Sequence, residues 1–227
     1  MSQTLALLHT SCVLVPVFTR LCRQMLPEVA IFHMVDESLI KNTIARNGLD
    51  KRTIERVIML LACARSGGAD AVLVTCSSIG PAVPVARQVF DFPVLRVDEA
   101  MAEEAVRLGF RIGVLATLST TLEPTVSLLR EVAAARSRTI EVEPCLCGGA
   151  FDAVLAGDND THDRIVSEAL LRMMPSVDVV VLAQASMARV IENLPRDLLT
   201  RPILSSPEPA VRQAREILCQ PVATPGS

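Results

Sequence analysis

The sequence contains no tryptophan and no tyrosine, and its only large aromatic residues are six phenylalanines. A protein that stacks nucleobases presents several such rings on its surface, so this composition argues against a stacking platform. Lysine and arginine form no blocks along the chain, and the formal net charge is −3. Both features disfavour nucleic acid as a partner.

Long apolar runs and phosphate-binding loops are also absent from the sequence. No stretch of about 18 consecutive apolar residues predicts a membrane span. The N-terminus lacks the basic region of a secretory signal. No Gly-rich stretch matches Walker A or the dinucleotide fingerprint, so nucleotide chemistry is not predicted. We expect a protein without a membrane partner.

The seven cysteines predict neither a disulfide framework nor a metal site. Their number is odd, and they are spread thinly over 227 residues, unlike the dense frameworks of small secreted domains. Cys145 and Cys147 form one close pair, with no second pair at zinc-finger spacing. We therefore expect reduced thiols in a cytoplasmic protein that holds no metal.

Residues 71–81 join an apolar strand to a polar turn around one thiol. The aliphatic run Val72–Val74 is typical of a buried parallel strand. Thr75–Ser78 would follow at its carboxyl end, where ligands bind in open α/β sheets, and a helix beginning near Ser77 would direct N–H groups at an anion such as a carboxylate. There we expect a lowered pKa for Cys76, making it a nucleophile or base. The alternative is a small apolar core residue.

Predicted strands and helices alternate along the chain. Apolar runs predict strands at 5–8, 31–35, 72–74, 93–95, 112–116, 140–142, 179–182 and 202–204. Periodic apolar positions with stop signals predict helices near 19–26, 50–65, 98–108, 121–135, 160–174 and 207–218, and a loop at 145–149. This alternation predicts the α/β class.

Several landmarks of the first half recur in the second half at a nearly constant offset of about 108 residues. The corresponding pairs are Thr10 with Thr117, Cys76 with Gln184, and Pro93 with Pro202. We therefore predict two similar doubly wound parallel-sheet domains, related by pseudo-two-fold symmetry, with an inter-domain cleft. The first domain is expected at 1–97 plus 203–227, where the chain crosses back, and the second at 98–202.

The chain resembles the aspartate/glutamate racemase superfamily, which also includes hydantoin racemases, maleate isomerases and arylmalonate decarboxylases. The resemblance rests on the two related halves, on Thr75-Cys76-Ser77-Ser78 after a strand of the first, and on Leu-Ala-Gln-Ala-Ser-Met at 182–187 after the matching strand of the second. It covers nearly the whole chain. It implies an enzyme without metal or organic cofactor, in which two cysteines, one per half, face each other across an acidic carbon.

The resemblance identifies Cys76 as the first cysteine and places Gln184 where the second is expected. An amide cannot exchange a proton at a useful pKa, although it can hydrogen-bond a carboxylate or an enediolate. His9 or Asp36 could supply a second acid/base group; the alternatives are a structural histidine and a helix-capping aspartate. The substrate-binding residues that the resemblance implies are Thr10, Ser11, Thr75, Ser77, Ser78, Thr117, Thr120 and Ser186.

We therefore expect a racemase or isomerase that forms and reprotonates a carbanion next to the carboxylate of a small acid, with Cys76 as the acid/base thiol. One alternative is a decarboxylase of the same superfamily, in which a single thiol protonates an enediolate; its lone cysteine lies in the second half, whereas Cys76 lies in the first. Another is a non-catalytic protein that binds small carboxylates. The resemblance also implies a homo-oligomer.

Overall fold

The structure is a computed structural model that describes residues 3–219, so the ends of the expected first domain, 1–2 and 220–227, lie outside the described residues. The strands are β1 (Thr4–His9), β2 (Ala30–Val35), β3 (Ala71–Val74), β4 (Val94–Arg96), β5 (Arg111–Ala116), β6 (Glu141–Leu146), β7 (Val179–Leu182) and β8 (Ile203–Ser205). The α-helices are α1 (Val15–Met25), α2 (Glu37–Ala45), α3 (Lys51–Ser66), α4 (Ala82–Ala86), α5 (Glu99–Leu108), α6 (Ser119–Ala135), α7 (Ala150–Leu155), α8 (Asn159–Met173), α9 (Ala188–Asn193) and α10 (Pro207–Leu218).

The strands form two four-stranded sheets with the same topology. The first sheet has the order β2-β1-β3-β4, the second has β6-β5-β7-β8, and every pairing is parallel. The prediction of two similar α/β domains is confirmed. In each sheet the strand order reverses between the two central strands, β1 and β3 or β5 and β7. A crevice for a ligand is expected at the carboxyl ends of such a pair.

Both sheets are covered by helices on both faces, which explains their runs of consecutive aliphatic residues. Every residue of β3 and of β7 is buried. In the first sheet, α3 and α4 pack on one face and α1 and α10 on the other. Each aliphatic side chain buried in this way contributes about 2 kcal/mol to the free energy of unfolding. The two central strands are therefore rigid supports for the turns that follow them.

The two halves exchange one helix each. Helix α5 follows a strand of the first sheet, yet Met101 and Ala105 pack in one cluster with Val114 and Val181 of the second sheet. Helix α10 follows the second sheet and packs against the first. The expected boundary at 203 is wrong, because β8 is hydrogen-bonded to β7 and so belongs to the second sheet. The chain crosses back from the second half to the first after β8.

Two further sequence-based boundaries differ from the structure. Residues 145 and 146, expected in a loop, extend β6, because they pair with β5 at the edge of the sheet, where the preceding Pro144 is tolerated. Helix α6 begins two residues earlier than expected, which places Pro124 inside the helix rather than in its first turn. Between residues 3 and 219, none of the helices combines the length and the hydropathy needed to cross a membrane.

Candidate active site

The topology brings four of the predicted site residues to equivalent strand ends. In the first half, Thr10 directly follows β1 and Cys76 is the second residue after β3. In the second half, Thr117 directly follows β5 and Gln184 is the second residue after β7. These are the central strands of the two sheets, where each sheet reverses its order. The site is therefore built from two equivalent crevices, one in each half.

Backbone N–H groups and hydroxyls influence the thiol of Cys76. Cys76 is half-buried and precedes a single 3-10 turn, Ser77–Ile79. The backbone N–H groups of Ser78 and Ile79 and the hydroxyls of Thr10 and Ser78 act to lower the pKa of its thiol. Such donors stabilise a thiolate more than a thiol. A cysteine that only fills an apolar core does not require polar donors near its sulfur.

Burial nevertheless raises the pKa of the Cys76 thiol, and the nearby N–H and O–H donors lower it by less. The expectation of a lowered pKa is wrong. The physical reason is that burial removes water from the sulfur, which disfavours the charged thiolate by more than the nearby donors favour it. A raised pKa favours the protonated form of the thiol near neutral pH.

Gln184 occupies the position in the second half that Cys76 occupies in the first. Its amide oxygen accepts hydrogen bonds from the backbone N–H of Thr117 at 2.5 Å and from the hydroxyl of Thr117 at 2.9 Å. With the oxygen held in this way, the amide NH₂ group is directed away from Thr117. It can donate hydrogen bonds to a carboxylate or an enediolate, but it cannot act as a base.

The turns that carry the thiol and the amide contact each other. The hydroxyl of Ser77 donates to the carbonyl of Ala183 at 3.3 Å, and this bond joins the residues adjacent to Cys76 and Gln184. The hydroxyl of Ser78 lies 2.8 Å from that of Thr121 in α6. All four of these residues are buried. The two halves therefore meet where their central strands end.

His9 belongs to a hydrogen-bonded chain inside the first half. Its Nδ1 lies 2.8 Å from the hydroxyl of Thr75, and its Nε2 lies 2.8 Å from Nδ1 of His33. The hydroxyl of Thr75 donates to the carbonyl of Leu8 at 3.0 Å, so Nδ1 of His9 is the donor to Thr75. Burial, with a smaller effect of His33, lowers the pKa of His9 to about 4.

His9 lies on the other face of the sheet from Cys76. Its ring packs 5.7 Å from that of Phe18 on α1, whereas Cys76 packs against the cluster formed with α3 and α4. His9 is fully buried, and both of its ring nitrogens already have partners. The geometry favours the structural alternative for His9.

Asp36 caps helix α2. Its carboxylate accepts from the backbone N–H of Ser38 at 3.0 Å and from the hydroxyl of Ser38 at 2.6 Å. It also pairs with Arg56 at 2.5 Å. Burial acts to raise the pKa of Asp36, and the hydrogen bonds from Ser38 and Arg56 outweigh it and hold this pKa below its ordinary value. The geometry favours the capping alternative, because a carboxylate engaged in this way is a weak base.

The remaining predicted substrate-binding residues differ in their surroundings. Ser11 and Ser186 are half-buried, and neither hydroxyl is hydrogen-bonded to the rest of the described chain. Thr120 is 93 % buried, and its hydroxyl has no hydrogen-bond partner. It lines a cavity of about 330 Å³. A larger cavity, of about 420 Å³, lies between α5, β8 and α10, and none of the predicted site residues line it.

The close pair Cys145 and Cys147 does not form a metal site. Burial raises the pKa of Cys147 to about 12, and the neighbouring Cys145 contributes to this rise. A thiol must ionise before it binds a metal, so this one is a poor ligand. In the part of the chain that the structure describes, no three His, Cys, Asp or Glu side chains are grouped as a metal ion would require.

Sequence reasoning missed a buried ion pair that supports the thiol turn. The guanidinium of Arg96 donates to both carboxylate oxygens of Asp98, at 2.8 and 3.0 Å, and both side chains are buried. Arg96 lies against Gly80, where a Cβ atom would come within 2.7 Å of its Nε. The sequence contains an indication of this pair, because the oppositely charged Arg96 and Asp98 stand at the end of the short strand Val94–Arg96.

Several solved structures that share this fold are described as racemases. Allantoin racemase from Klebsiella pneumoniae is 16% identical with a TM-score of 0.71, and the alignment covers 96% of this chain and 88% of that one. Glutamate racemase RacE1 from Bacillus anthracis is 20% identical with a TM-score of 0.71, covering 96% and 82%. Picrophilus torridus aspartate racemase is 12% identical with a TM-score of 0.70, covering 96% and 95%.

At these identities the structural likeness shows the fold. A search of curated protein sequences gives no match. The family model described as Asp/Glu/Hydantoin racemase, however, matches residues 8–214, which is most of the chain. This match and the shared fold support an enzyme with a racemase or isomerase function. The chain belongs to the Asp/Glu/Hydantoin racemase family.

Proposed function

We propose that the protein is a cofactor-independent racemase or isomerase that acts on a small acid at the carbon next to its carboxylate, with Cys76 as the acid/base thiol. The observation that carries this proposal is the position of Cys76 just after the carboxyl end of β3, equivalent to that of Gln184 after β7, in a turn whose N–H and O–H donors act to lower the thiol pKa. These donors support a sulfur that alternates between thiol and thiolate, as proton transfer to and from carbon requires.

In the proposed reaction, ionised Cys76 removes the proton from the carbon next to the carboxylate; return of a proton by Cys76 restores the original enantiomer, and protonation by water on the opposite face gives the other one. The electron pair left by the C–H bond moves into the carboxylate and forms an enediolate. The amide NH₂ of Gln184, oriented by Thr117, donates hydrogen bonds to this developing negative charge. Donors that are already in place when the charge develops lower the barrier to proton removal.

A second candidate function is a single-thiol decarboxylase. It is favoured by the presence of only one thiol at the paired strand ends and by the protonated resting state of Cys76. In this reaction a C–C bond breaks, carbon dioxide leaves, and its bonding electrons form an enediolate. The thiol of Cys76 then gives its proton to carbon, and the resulting thiolate regains a proton from water. This sequence needs no group on the opposite face.

The two reactions are distinguished by incubation of candidate acids with the protein in D₂O. A racemase introduces deuterium into both enantiomers and releases no carbon dioxide, whereas a decarboxylase releases carbon dioxide and forms one labelled enantiomer. Replacement of Cys76 by serine is expected to abolish either reaction. Cys63→Ser is the matched control, because Cys63 is an exposed thiol on α3.

The alternative of a non-catalytic carboxylate-binding protein predicts a different set of results. The parent protein would turn over no acid, and C76S would bind the same acids with unchanged affinity. Isothermal titration calorimetry of both proteins measures this affinity. That combination would overturn the enzymatic proposal.

A further inference from the structure

Two bidentate ion pairs lie at the start of helix α5, beside the segment that follows Cys76. The guanidinium of Arg96 donates to both carboxylate oxygens of Asp98, at 2.8 and 3.0 Å. The guanidinium of Arg87, which follows α4, donates to both carboxylate oxygens of Glu99, at 2.9 and 2.7 Å. Helix α5 packs against the second sheet. The two pairs are therefore located where the chain first passes from one half to the other.

The pair between Arg96 and Asp98 is almost fully excluded from solvent. The side chain of Arg96 is 4% exposed and that of Asp98 is 0% exposed. Asp98 stands at the N-cap of α5, where an aspartate normally accepts a hydrogen bond from a backbone N–H of the first turn. Within the described residues its side chain makes no such bond. Its carboxylate holds the guanidinium instead of capping the helix.

The guanidinium held in this way packs directly on Gly80. A Cβ atom at Gly80 would lie 2.7 Å from Nε, 2.8 Å from Cζ and 2.9 Å from Nη2 of Arg96. The backbone of Gly80 has φ −50° and ψ −40°, a conformation that every residue type adopts. The backbone therefore does not require glycine here, whereas the close approach of the planar guanidinium does.

Gly80 closes the 3-10 turn that follows Cys76. Its N–H donates to the carbonyl of Ser77 at 3.0 Å. The N–H groups of Ser78 and Ile79, in the same turn, act to lower the pKa of the thiol. A guanidinium in contact with Gly80 therefore fixes one end of the turn that supplies these donors.

We propose that Arg96 is a positioning residue for Cys76: held by Asp98 at the start of α5, its guanidinium fixes the turn that carries the thiol. The consequence for the reaction rests on the proposed function, whereas the consequence for the thiol does not. Because α5 packs on the second sheet, the ion pair also links the position of this turn to the second half.

Alkylation of Cys76 by iodoacetamide over a range of pH tests the inference without a substrate. Gly80→Ala places a methyl group against the guanidinium and displaces the turn, so the thiol pKa should rise. We expect alkylation of Cys76 near pH 8, relative to that of Cys63, to slow about five-fold, the effect of one lost hydrogen bond. Gly109→Ala is the matched control, because a Cβ atom there would also lie 2.7 Å from its nearest neighbour, Asp178, but at the amino ends of β5 and β7. It should leave the rate at Cys76 unchanged.

A double-mutant cycle tests the contact between Arg96 and Gly80. Arg96→Lys keeps a positive charge opposite Asp98 but replaces the planar guanidinium by a smaller ammonium group, which leaves room for the added methyl group. The effect of G80A should therefore fall from about five-fold in the parent to less than about two-fold in the R96K background. R96K alone should slow alkylation about two-fold, because the turn loses its support, and this variant tests the inference even if G80A does not fold.

Three results would overturn the inference. They are an unchanged rate at Cys76 in folded G80A or in R96K, an equal effect of G80A in both backgrounds, and the same loss in G109A as in G80A. Far-ultraviolet circular dichroism of each variant shows whether it is folded.

Deuterium exchange separates this inference from the proposed function. In a parent protein that exchanges an acid, G80A should lower kcat with little change in KM, because a displaced acid/base group slows the chemical step more than binding. Exchange by the parent together with an unchanged thiol in G80A contradicts the positioning role alone. Slower alkylation in G80A, without exchange of any acid by the parent, supports the positioning role and contradicts the enzymatic proposal.

Discussion

The amide oxygen of Gln184 accepts two hydrogen bonds from Thr117, one from the backbone N–H at 2.5 Å and one from the hydroxyl at 2.9 Å. In the first half of the chain, the hydroxyl of Thr10 acts to lower the pKa of the Cys76 thiol. The two halves therefore place different functional groups beside equivalent threonines. Only one of these groups can ionise.

This equivalence predicts different effects for two matched substitutions. Thr10→Val removes a donor that lowers the pKa of Cys76, so we expect its thiol to ionise at still higher pH. Thr117→Val removes the hydroxyl donor to the Gln184 oxygen and leaves the backbone N–H donor, so we expect about three-fold weaker binding of the acid and an unchanged thiol pKa. Thiolate absorbance followed against pH measures the first effect, and calorimetry measures the second. Equal shifts of the thiol pKa in both variants would contradict the assignment.

The protonation of Cys76 predicts how its reactivity depends on pH. Burial raises its pKa, so the thiolate fraction near pH 7 is smaller than that of an exposed thiol with an ordinary pKa of about 8.5. We expect iodoacetamide to alkylate Cys76 more slowly than exposed Cys63 at pH 7, and the rate at Cys76 to rise with pH beyond that ordinary value. Peptide mass spectrometry assigns the label to each cysteine. A rate that levels off below pH 8 would contradict this prediction.

Replacement of Gln184 by cysteine tests the equivalence of the two strand ends. Gln184→Cys places a second thiol opposite the first, so we expect racemisation to appear or to increase, with deuterium entering both enantiomers in D₂O. Gln184→Ser is the control, because it shortens the side chain without supplying an acid/base group. A folded Q184C protein with no more racemisation than Q184S would argue against the facing geometry.

His9 predicts a loss of stability in acid. Its pKa is lowered to about 4 in the folded protein from 6.5, so between these values the unfolded chain binds a proton that the folded protein excludes. The free energy of unfolding should therefore fall by on the order of 3 kcal/mol as the pH decreases through this window. Urea unfolding at a series of pH values measures it. The variant His9→Leu should show a smaller decrease, and an identical decrease would contradict the role of His9.

The sequence predicted the strands well where burial is uniform. Val72–Val74 and Val179–Leu182 are aliphatic throughout because both faces of each sheet are covered, and that signal is local. The edge strand β6 and the assignment of β8 to a sheet were predicted less well. Both depend on pairing with strands that are distant in sequence, which no local pattern records.

The sequence predicted that Cys76 and Gln184 follow equivalent strands, but it did not predict the electrostatics around the thiol. The recurrence at an offset of about 108 residues pointed to Cys76 and Gln184, because duplicated strands end in equivalent turns. The protonation state of Cys76 was predicted with the wrong sign. It depends on how deeply the packed halves bury the sulfur, whereas the sequence shows only the polar residues beside it.

The sequence by itself determined the α/β alternation, the duplication and the single thiol among hydroxyl groups, because each is recognised from short stretches of residues. Only the tertiary structure decided that His9 bonds His33, that Asp36 pairs with Arg56, and that Thr120 faces a cavity between the halves. These relationships join segments far apart in the chain. Burial, which sets pKa values and leaves some polar groups unpaired, is a property of the packed molecule rather than of any stretch of residues.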